Sequence, residues 1–458
     1  MRGLYRSVYS LVVAEPVPFA IETPDRVRKE RYYDPDFYAL EVERLWPRVW
    51  QMACRLEEIP QPNDFVEYEI LDQSVIVLRT AAGDVRAFEN ACRHRGVRVV
   101  EGRGTCESGF VCPFHGWCYG ADGGNTHVPR AKAFSEHNLH PGEIDLVPVR
   151  CETWGGCAWI NLDTDALPLR QCLEPSASVL DGWRVESLRT DWWYSCRLPV
   201  NWKLAQEAFV EQYHVVETHP QLVIPGRYGS RKGEVDPRAY IAADLRYLHT
   251  MSDGMAGMVH ANDVAVAERL RAEIELPDDP DAAIATWHRE LNDAVTAWHR
   301  ERGDDIPDLS ALAAQQLDEP MGYCFPHWFV LPMYSSASSY RFRPLGPEET
   351  LMEIWSLTRF PADEARERPV PPEPWECDDA RWPPIPAQDF SNLPRQQRGL
   401  HARGFEYMRL SERMEGHISN FHRTIDGYLA GLPTERLLPA LREVNVNPLE
   451  RAIADFEL

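Results

Sequence analysis

The chain has 458 residues, enough for one large domain or two to three ordinary ones, so its fold needs no disulfide scaffold. Its 48 Lys and Arg stand against 71 Asp and Glu, a formal net charge of −23 that disfavours general binding to nucleic acid or anionic membranes. The eleven cysteines are too sparse for a disulfide-rich secreted protein, and no apolar run approaches the roughly 18 residues of a membrane span. We therefore expect a cytoplasmic protein with reduced or metal-bound cysteines.

The sequence of the first half of the chain predicts one helix followed by a β-rich segment. Residues 33–50 predict a helix that opens at Asp34-Pro35 and ends near Pro47. Residues 65–70 and 74–78 are β-type runs, and residues 156–162 form a further predicted strand. This series of predicted strands indicates a small all-β domain.

The second half of the chain predicts mixed structure. Residues 201–218 and 395–430 are helical in character, and the acidic helical stretch 262–302 is interrupted by a Pro-Asp-Asp-Pro break. Residues 321–360 contain strand-like runs. The stretch 361–386 is rich in proline and charge and predicts a surface loop.

Two short motifs bring cysteine and histidine together in the β-rich segment. They are Cys92-Arg93-His94 and Cys112-Pro113-Phe114-His115. Thiolate and imidazole suit zinc or an iron–sulfur cluster. Because each loop supplies one residue of each type, two cysteines could bind one iron and two histidines another, which is the Rieske pattern. A structural zinc site is the alternative.

The longer stretches around these motifs resemble the Rieske domain of ring-hydroxylating oxygenases, which carry CxHRG and CPxHGWxY. Here they read CRHRG from Cys92 and CPFHGWCY from Cys112. The resemblance implies a [2Fe-2S] cluster held by Cys92, His94, Cys112 and His115. The extra cysteine pair of respiratory Rieske proteins is replaced by Val97 and Phe114. That difference favours the soluble type, fed by a ferredoxin or flavoprotein.

A second cluster of metal-ligand types lies in the helical segment 201–220. His214 and His219 are five residues apart, which places them ~140° apart on a regular helix, so both can face one metal only if the helix distorts or ends. The segment is similar to the oxygenase signature NWK…ExxxDxxHxxxxH. The similarity implies that both histidines bind iron with Asp389 as the third ligand; Asp378 and Asp379 are rivals. It also implies that Glu211, where the family usually has aspartate, bridges the two metal sites.

The same resemblance implies the fold and the domain organisation. We expect an α+β protein, with an N-terminal all-β Rieske domain and a C-terminal α+β helix-grip (START-like) catalytic domain that has a central antiparallel sheet. The expected divisions are a helical segment at 1–47 that packs on the catalytic domain, the Rieske domain at 48–162 and the catalytic iron domain at 163–458.

The activity implied is that of an oxygenase component with a Rieske [2Fe-2S] cluster, mononuclear Fe(II) and O2 as co-substrate. Electrons would come from a ferredoxin or flavin reductase, and NAD(P)H would act only through that reductase. Family members form head-to-tail trimers, so we expect a homotrimer, with or without a beta subunit. The expected substrate is an apolar aromatic or polycyclic compound. The alternatives are an O- or N-demethylase or quaternary-amine monooxygenase, a Rieske electron-transfer protein without oxygenase activity, and a zinc-stabilised ligand-binding protein.

Apolar residues near the metal motifs and in the predicted strands are candidates for the substrate pocket, although core packing is an equal role for each. They are Phe209, Val210, Phe325, Trp328, Phe329, Leu331, Met333, Tyr334 and Tyr340. Arg341 and Arg343 are candidates for a carboxylate clamp. Because ferredoxins are usually acidic, docking of such a donor needs a local basic surface, for which the candidates are Arg93, Arg95, Arg98 and Arg103.

Overall fold

The structure is a computed structural model. It describes residues 15–224, 235–255, 257–317, 321–361, 364, 366–448, 451–454 and 456. The described part of the chain opens with strand β1 (Arg26–Arg28) and helix α1 (Pro35–Arg44). Asp34 caps this helix, because its carboxylate accepts hydrogen bonds from the N–H groups of Asp36 and Phe37 at 3.0 and 2.9 Å. The predicted helix at 33–50 therefore forms, but it ends at Arg44, and a short 3₁₀ turn follows.

Ten strands make up the β-rich part of the chain. They are β2 (Gln51–Arg55), β3 (Asp64–Ile70), β4 (Gln73–Arg79), β5 (Val85–Glu89), β6 (Arg103–Thr105), β7 (Phe110–Val111), β8 (Cys118–Tyr119), β9 (Asn125–His127), β10 (Pro148–Trp154) and β11 (Cys157–Asn161). One sheet has the order β2-β11-β10-β5-β4-β3-β6, and a smaller sheet has the order β7-β8-β9. The predicted all-β character is confirmed.

The larger of these sheets separates two hydrophobic cores. Along β4, Val75 and Val77 belong to the main core of the molecule, whereas Ile76 and Leu78 belong to a smaller core that also contains Cys92. Successive side chains of a strand point to opposite faces, so this apolar run serves both cores. The sheet thus joins the cysteine–histidine loops to the rest of the protein.

The second part of the chain is built on a six-stranded sheet. Before it come α2 (Leu169–Leu173) and α3 (Ser176–Gly182), and its strands are β12 (Arg189–Leu198), β13 (Gly322–Cys324), β14 (Trp328–Met333), β15 (Ser336–Gly346), β16 (Glu349–Thr358) and β17 (Trp375–Glu376). The order is β13-β14-β15-β16-β12-β17, antiparallel except where β17 pairs with β12. The expected α+β fold with an antiparallel sheet is confirmed.

Helices surround this sheet. Those that precede β13 are α4 (Trp202–Val210), α5 (Val215–Thr218), α6 (Pro237–Asp253), α7 (Ala261–Glu273), α8 (Pro280–Arg300) and α9 (Leu309–Ala314). After β17 come α10 (Pro384–Leu400), strand β18 (Tyr407–Arg409), α11 (Gly416–Leu429) and α12 (Thr434–Val444). Helix α4 packs between the sheet and α10, which brings two distant segments of the chain together. Within the described residues, no helix is long and apolar enough to cross a bilayer.

The N-terminal segment lies against the C-terminal helices. Strand β1 pairs with β18, and the buried Arg31 contacts His422 and Asp426 of α11. The expected packing of 1–47 on the catalytic part agrees with these contacts for its described portion, and residues 1–14 lie outside the described residues. The exact domain boundaries stay predictions.

Candidate metal centres

The two cysteine–histidine loops have the same backbone geometry. In each, the cysteine N–H donates to the carbonyl five residues later at 2.8 Å, and the glycine N–H donates back to the cysteine carbonyl, at 2.8 Å in the first loop and 3.0 Å in the second. Gly96 and Gly116 have φ of +76° and +73°, a region that favours glycine. The repeated turn brings Cys92 and Cys112 to equivalent positions.

The side chains of these loops converge in a way that fits a Rieske cluster. The Nδ1 atoms of His94 and His115 face each other at 3.2 Å, and the His94 ring stacks on Trp117 at 5.2 Å between centroids. Cys92 and Cys112 are buried, whereas His115 is exposed. Two thiols inside and two imidazole nitrogens outside form the donor set of a cluster in which two cysteines bind one iron and two histidines bind the other.

Burial shifts the pKa of two residues of the cluster loops, Cys92 and His94. It raises the pKa of Cys92, whose Sγ lies 3.2 Å from the hydroxyl of Tyr119. Burial also lowers the pKa of His94, and the charge of His115 lowers it further. A thiolate in this environment needs a cation, which a bound iron would supply.

The second centre forms where a helix is interrupted. Helix α4 ends at Val210, and Glu211 is extended at φ −121° and ψ 150°. The single turn α5 follows, with His214 at its N-cap and His219 at its C-cap. The predicted condition for both histidines to face one metal is therefore met, because they stand at the two ends of one helical turn.

Asp389 of α10 completes a triad with these two histidines. His219 Nε2 lies 2.9 Å from Asp389 Oδ1, and His214 Nε2 lies 3.6 Å from the same oxygen. One ligand atom from each of the three residues lies within 4.8 Å of the others. Asp389 and His219 are buried. Two imidazoles and one carboxylate with room beside them form the donor set of a non-haem Fe(II) site.

Each histidine of the triad is oriented by a further partner. His214 Nδ1 lies 2.6 Å from Glu211 Oε1, and His219 Nδ1 lies 2.7 Å from Gln388 Oε1. With Nδ1 engaged in this way, Nε2 of both rings points to Asp389. Burial lowers the pKa of His219, but the hydrogen bond and charge of Asp389 outweigh it, so that the pKa is raised. The triad is thus an anionic pocket suited to a cation.

Several residues considered for this site lie elsewhere. Asp379 pairs with Arg381 at 2.6 Å in an exposed position, which makes it a poor rival to Asp389. Arg341 and Arg343, the candidates for a carboxylate clamp, both donate to Glu353, at 2.7 and 3.1 Å, and are absent from the described lining of the cavity beside the triad. These arginines serve the junction between β15 and the β-rich part.

An apolar cavity of about 180 Å³ lies beside the triad. Four of the candidate pocket residues line it, namely Phe209, Leu331, Met333 and Tyr340. The lining also contains Met251, Met255, Met258 and Met321, which the sequence analysis missed. Only Met251 lies in α6, and Met255 and Met258 follow the end of that helix, so no periodicity of the sequence marks these residues as lining.

The other candidate pocket residues are absent from the described lining of this cavity. Val210 is buried in the core, and Phe325 stacks on Tyr428 at 5.7 Å. Trp328 packs against Trp159 of β11. Phe329 stacks behind Tyr340 at 4.6 Å and supports that ring from the core side. Tyr334 is also absent from the lining.

A second, more polar cavity of about 360 Å³ borders the same triad from another side. His214 and Asp389 line it together with three glutamates, Glu207, Glu211 and Glu415. The metal position therefore lies between an apolar and a polar compartment.

Family models match both parts of the chain. Residues 49–147 match the Rieske [2Fe-2S] domain, and residues 185–431 match the ring hydroxylating alpha subunit (catalytic domain). The chain belongs to the ring-hydroxylating oxygenase alpha-subunit family. The resemblance on which the sequence analysis relied is therefore confirmed, as is the expectation of a Rieske cluster and a mononuclear iron as the family's cofactors.

Curated relatives of this family match over part of their length. The carnitine monooxygenase oxygenase subunit of Escherichia coli K12 is 30% identical over 191 residues, covering 41% of this chain and 50% of the relative. The 2-aminobenzenesulfonate 2,3-dioxygenase subunit alpha of an Alcaligenes species is 33% identical over 189 residues, covering 40% and 47%. The match thus spans about half the length of each relative.

Solved structures share the fold across nearly the whole chain. Naphthalene 1,2-dioxygenase with bound indole has a TM-score of 0.62 at 19% identity, covering 94% of this chain and 99% of that one. The quaternary ammonium Rieske monooxygenase CntA in complex with L-carnitine has a TM-score of 0.58 at 17% identity, covering 91% and 99%. At these identities the likeness supports the fold alone.

Proposed function

We propose that the protein is the oxygenase component of a Rieske-type multicomponent oxygenase. The observation that carries this proposal is the triad of His214, His219 and Asp389, with Glu211 on the Nδ1 of one ligand. In a protein that only carried electrons, a second metal site between two cavities would have no use. A zinc-stabilised binding protein could use the four residues of the cluster loops as zinc ligands, but it too would have no use for the triad between two cavities.

Different residues would hold the cluster, the iron and the substrate. Cys92, His94, Cys112 and His115 would hold the cluster, and the triad would hold the iron. Iron bound there supplies the activation of dioxygen. The apolar cavity keeps water from the reacting bond, and Tyr340 and Phe209, 5.3 Å apart, form one wall against which a substrate ring can lie.

Glu211 is well placed to connect the two metal sites. Its Oε1 contacts His214 Nδ1, and its Oε2 accepts from the backbone N–H of Tyr213 and of His214. Carboxylate oxygens accept more than one hydrogen bond each, so Glu211 can also accept from an imidazole that approaches from outside. Glutamate can therefore act as the bridge that the family usually builds with aspartate.

We infer that the approaching imidazole belongs to a second copy of the chain, in a homotrimer. Large apolar side chains are exposed on the two surfaces that would meet in such a contact, one around the cluster loops and one beside Glu211. Val111 and Phe114 lie on the cluster loops, and Tyr213 and Val216 lie beside Glu211. Burying these four side chains against each other would bring His115, which is exposed, towards the iron site. A separate beta subunit stays a prediction.

The electron donor that we propose is a ferredoxin or flavin reductase, with NAD(P)H acting only through it. Arg93 and Arg95 are exposed beside the cluster. Arg98 contributes less positive charge to this surface, because it pairs with Glu67 and Glu69. Arg103 is half-buried, and its guanidinium donates a hydrogen bond to the carbonyl of Pro369. The basic docking surface is thus smaller than the sequence suggests. We expect these partners to meet in the cytoplasm.

The proposed substrate is a small, uncharged apolar compound, with an aromatic ring as the best fit. The cavity of about 180 Å³ is close to an engineered apolar cavity of about 150 Å³ that binds benzene. Its described lining is rich in methionine and contains no lysine or arginine. An anionic substrate would find no counter-ion among these side chains.

A quaternary amine is the second candidate. The relatives named for carnitine and choline support it, and so does the lining, where the aromatic rings of Phe209, Tyr247 and Tyr340 stand near the carboxylate of Glu211. Aromatic faces and a carboxylate attract a trimethylammonium group.

Oxygen consumption by the reconstituted protein with its reductase tests these proposals. Naphthalene and choline serve as probes of the two substrate classes, and His214→Ala serves as the matched control. We expect naphthalene to stimulate oxygen uptake and to give an oxygenated product, and His214→Ala to abolish both while the reduced cluster keeps its spin signal. Stimulation by choline alone would favour the second candidate. Product formation without the triad would contradict the oxygenase proposal.

A further inference from the structure

A buried network of polar side chains lies one helical turn before Glu211. Tyr32 donates to both carboxylate oxygens of Glu207 at 3.0 Å, and His422 Nε2 lies 2.8 Å from Glu207 Oε1. His422 Nε2 also lies 2.9 Å from the Tyr32 hydroxyl. The side chains of Tyr32 and His422 are fully buried. None of these three residues belongs to the metal sites.

The hydrogen bonds fix where protons lie in this network. Arg31 Nε–H donates to His422 Nδ1 at 3.0 Å, so this nitrogen is an acceptor. Burial and the charges of Arg31 and Lys203 hold the pKa of His422 well below its usual value. The neutral ring therefore carries its proton on Nε2 and donates it towards Glu207 and Tyr32. The Nε2–H of His422 is a fixed donor towards Glu207 Oε1, and Glu207 also lines the polar cavity, so an acid proton on Glu207 has a route into that cavity.

Glu207 retains a proton at neutral pH. Burial raises its pKa to about 8, against the hydrogen bond of Tyr32 and the charge of Lys203. The titratable and charged groups that act on Glu207 are Tyr32, Arg31, Lys203, His422 and Glu415. Lys203 is largely engaged elsewhere, because its Nζ pairs with Glu41 at 2.6 Å. The carboxyl group is therefore neutral below about pH 8, and the fixed donors remain to stabilise its anion.

The polar cavity connects Glu207 with both the metal site and solvent. Its lining includes Glu207, His214 and Asp389, and also Gln396 and Arg409, which are exposed. Its lining mixes four carboxylate side chains with apolar ones, and its volume of about 360 Å³ has room for on the order of ten waters. Protons can move along such waters between a surface group and a buried acid.

We propose that Glu207 is a proton-relay residue that delivers protons through the polar cavity to the metal site during turnover. This rests on the proposed oxygenase function. A monooxygenation consumes the substrate, O2, two electrons and two protons, and yields the hydroxylated product and water; a dioxygenation places both oxygen atoms in the product and consumes the same electrons and protons. The donor protein supplies the electrons. Glu207 gives up its proton to the cavity, the hydroxyl of Tyr32 and the Nε2–H of His422 hold the anion, and bulk water returns the proton.

Infrared spectroscopy of the metal-free protein tests the first part of the proposal. A protonated carboxyl group absorbs separately from carboxylates, and its band shifts in D2O. Burial also raises the pKa of Glu58, Glu415 and Asp426, so the signal of Glu207 is the difference between the wild-type and Glu207→Gln spectra. We expect this difference to contain such a band at pH 7 and to lose it as the pH rises past about 8. The difference between wild type and Glu273→Gln, which makes the same change at an exposed end of α7, should contain no such band. A Glu207→Gln spectrum identical to that of the wild type would overturn the proposal.

Turnover of the reconstituted protein tests the second part. In Glu207→Gln the side chain keeps its size and can still hydrogen-bond to Tyr32, but it cannot pass a proton. We expect product formation to slow on the order of 10²-fold, as for loss of other acid–base groups, and the solvent deuterium isotope effect to rise. The fall in wild-type rate above about pH 8 should vanish in the variant. Iron content and the rate of cluster reduction should stay unchanged.

A conservative variant covers the case in which Glu207→Gln does not fold. Glu207→Asp keeps the acid, so it should recover a pH-dependent rate and show the infrared band at a shifted position. An unchanged isotope effect and pH profile in Glu207→Gln, or a Glu207→Asp rate without pH dependence, would overturn the relay. Absence of product from the wild type would instead refute the proposed function, and the two failures are therefore distinguishable.

Discussion

The two candidate metal centres of this molecule are built on opposite principles. The cluster residues lie in two β-turn loops of matching geometry at the edge of a sheet, with His115 exposed. The iron triad lies at the broken end of a helix, with His219 and Asp389 buried between two cavities. A site that exchanges electrons with other proteins needs an exposed edge, whereas a site that handles dioxygen needs shielding from bulk water. The difference matches these two tasks.

The largest expected effect is at the buried centre. Asp389→Ala removes the carboxylate that both histidines face, and we expect loss of the mononuclear iron and of all measurable product. The cluster should be untouched, because no cluster residue contacts α10 in the described structure. Iron analysis and the spin signal of the reduced cluster check this outcome.

The matching change at the exposed centre is Cys112→Ser. It should abolish the Rieske signal and leave the triad able to bind iron. If either variant lost both metals while remaining folded, the separation of the two centres would be refuted.

The next effect concerns the connection between the centres. Glu211→Gln keeps the contacts to the backbone of α5 but removes the charge that the bridge offers to two imidazoles. We expect electron transfer to the iron site to slow by about 10–100-fold, as for other outer-shell partners of metal ligands. Rapid-freeze measurement of cluster oxidation after mixing with O2 and substrate checks it. A wild-type rate of electron transfer in Glu211→Gln, with both metals bound, would contradict the bridging role of Glu211.

A smaller effect is expected where Gln388 orients His219. Gln388→Ala leaves Nδ1 of that ring without its 2.7 Å partner, so we expect iron affinity to fall by about tenfold, at the low end for such partners. Competition with a chelator measures the change. Gln212→Ala, on the lining of the apolar cavity but not in contact with a ligand ring, provides a matched control that should keep wild-type affinity.

The smallest expected effect is on the pH dependence of stability, and it concerns a histidine–carboxylate cluster outside both candidate metal centres. His299 lies between Asp263 and Asp304, at 2.9 and 2.6 Å. Burial lowers its pKa, but hydrogen bonds and charges of the two aspartates outweigh this, and the pKa is raised. The stability that protonation adds is therefore complete below the unfolded pKa of about 6.5 and is lost as the pH rises through the folded value. Urea unfolding between pH 5 and 9 should show this loss, and His299→Gln should reduce it.

The sequence predicts the cluster centre almost completely, because its four ligands lie within two contiguous loops. Asp389 lies 170 residues after His219, and only the family resemblance points to it. The apolar lining is only half predicted. Which face of β14 and α6 meets the cavity depends on tertiary packing, so the sequence leaves Trp328 a candidate for both the pocket and the core, and it does not point to Met251. Glu207 occupies the first glutamate position of the oxygenase signature. Its hydrogen bonds to Tyr32 and His422 join three segments that are far apart in the sequence, so the sequence alone does not predict this network.

A single turnover of the pre-reduced protein tests the central claim most directly. Protein with reduced cluster and iron is mixed with substrate and O2 in the absence of the reductase, and cluster oxidation and product are measured in the same sample. The account predicts that product appears in step with cluster oxidation, and that Asp389→Ala forms no product and keeps its cluster reduced. Product without cluster oxidation, or unchanged cluster oxidation in Asp389→Ala, would contradict it.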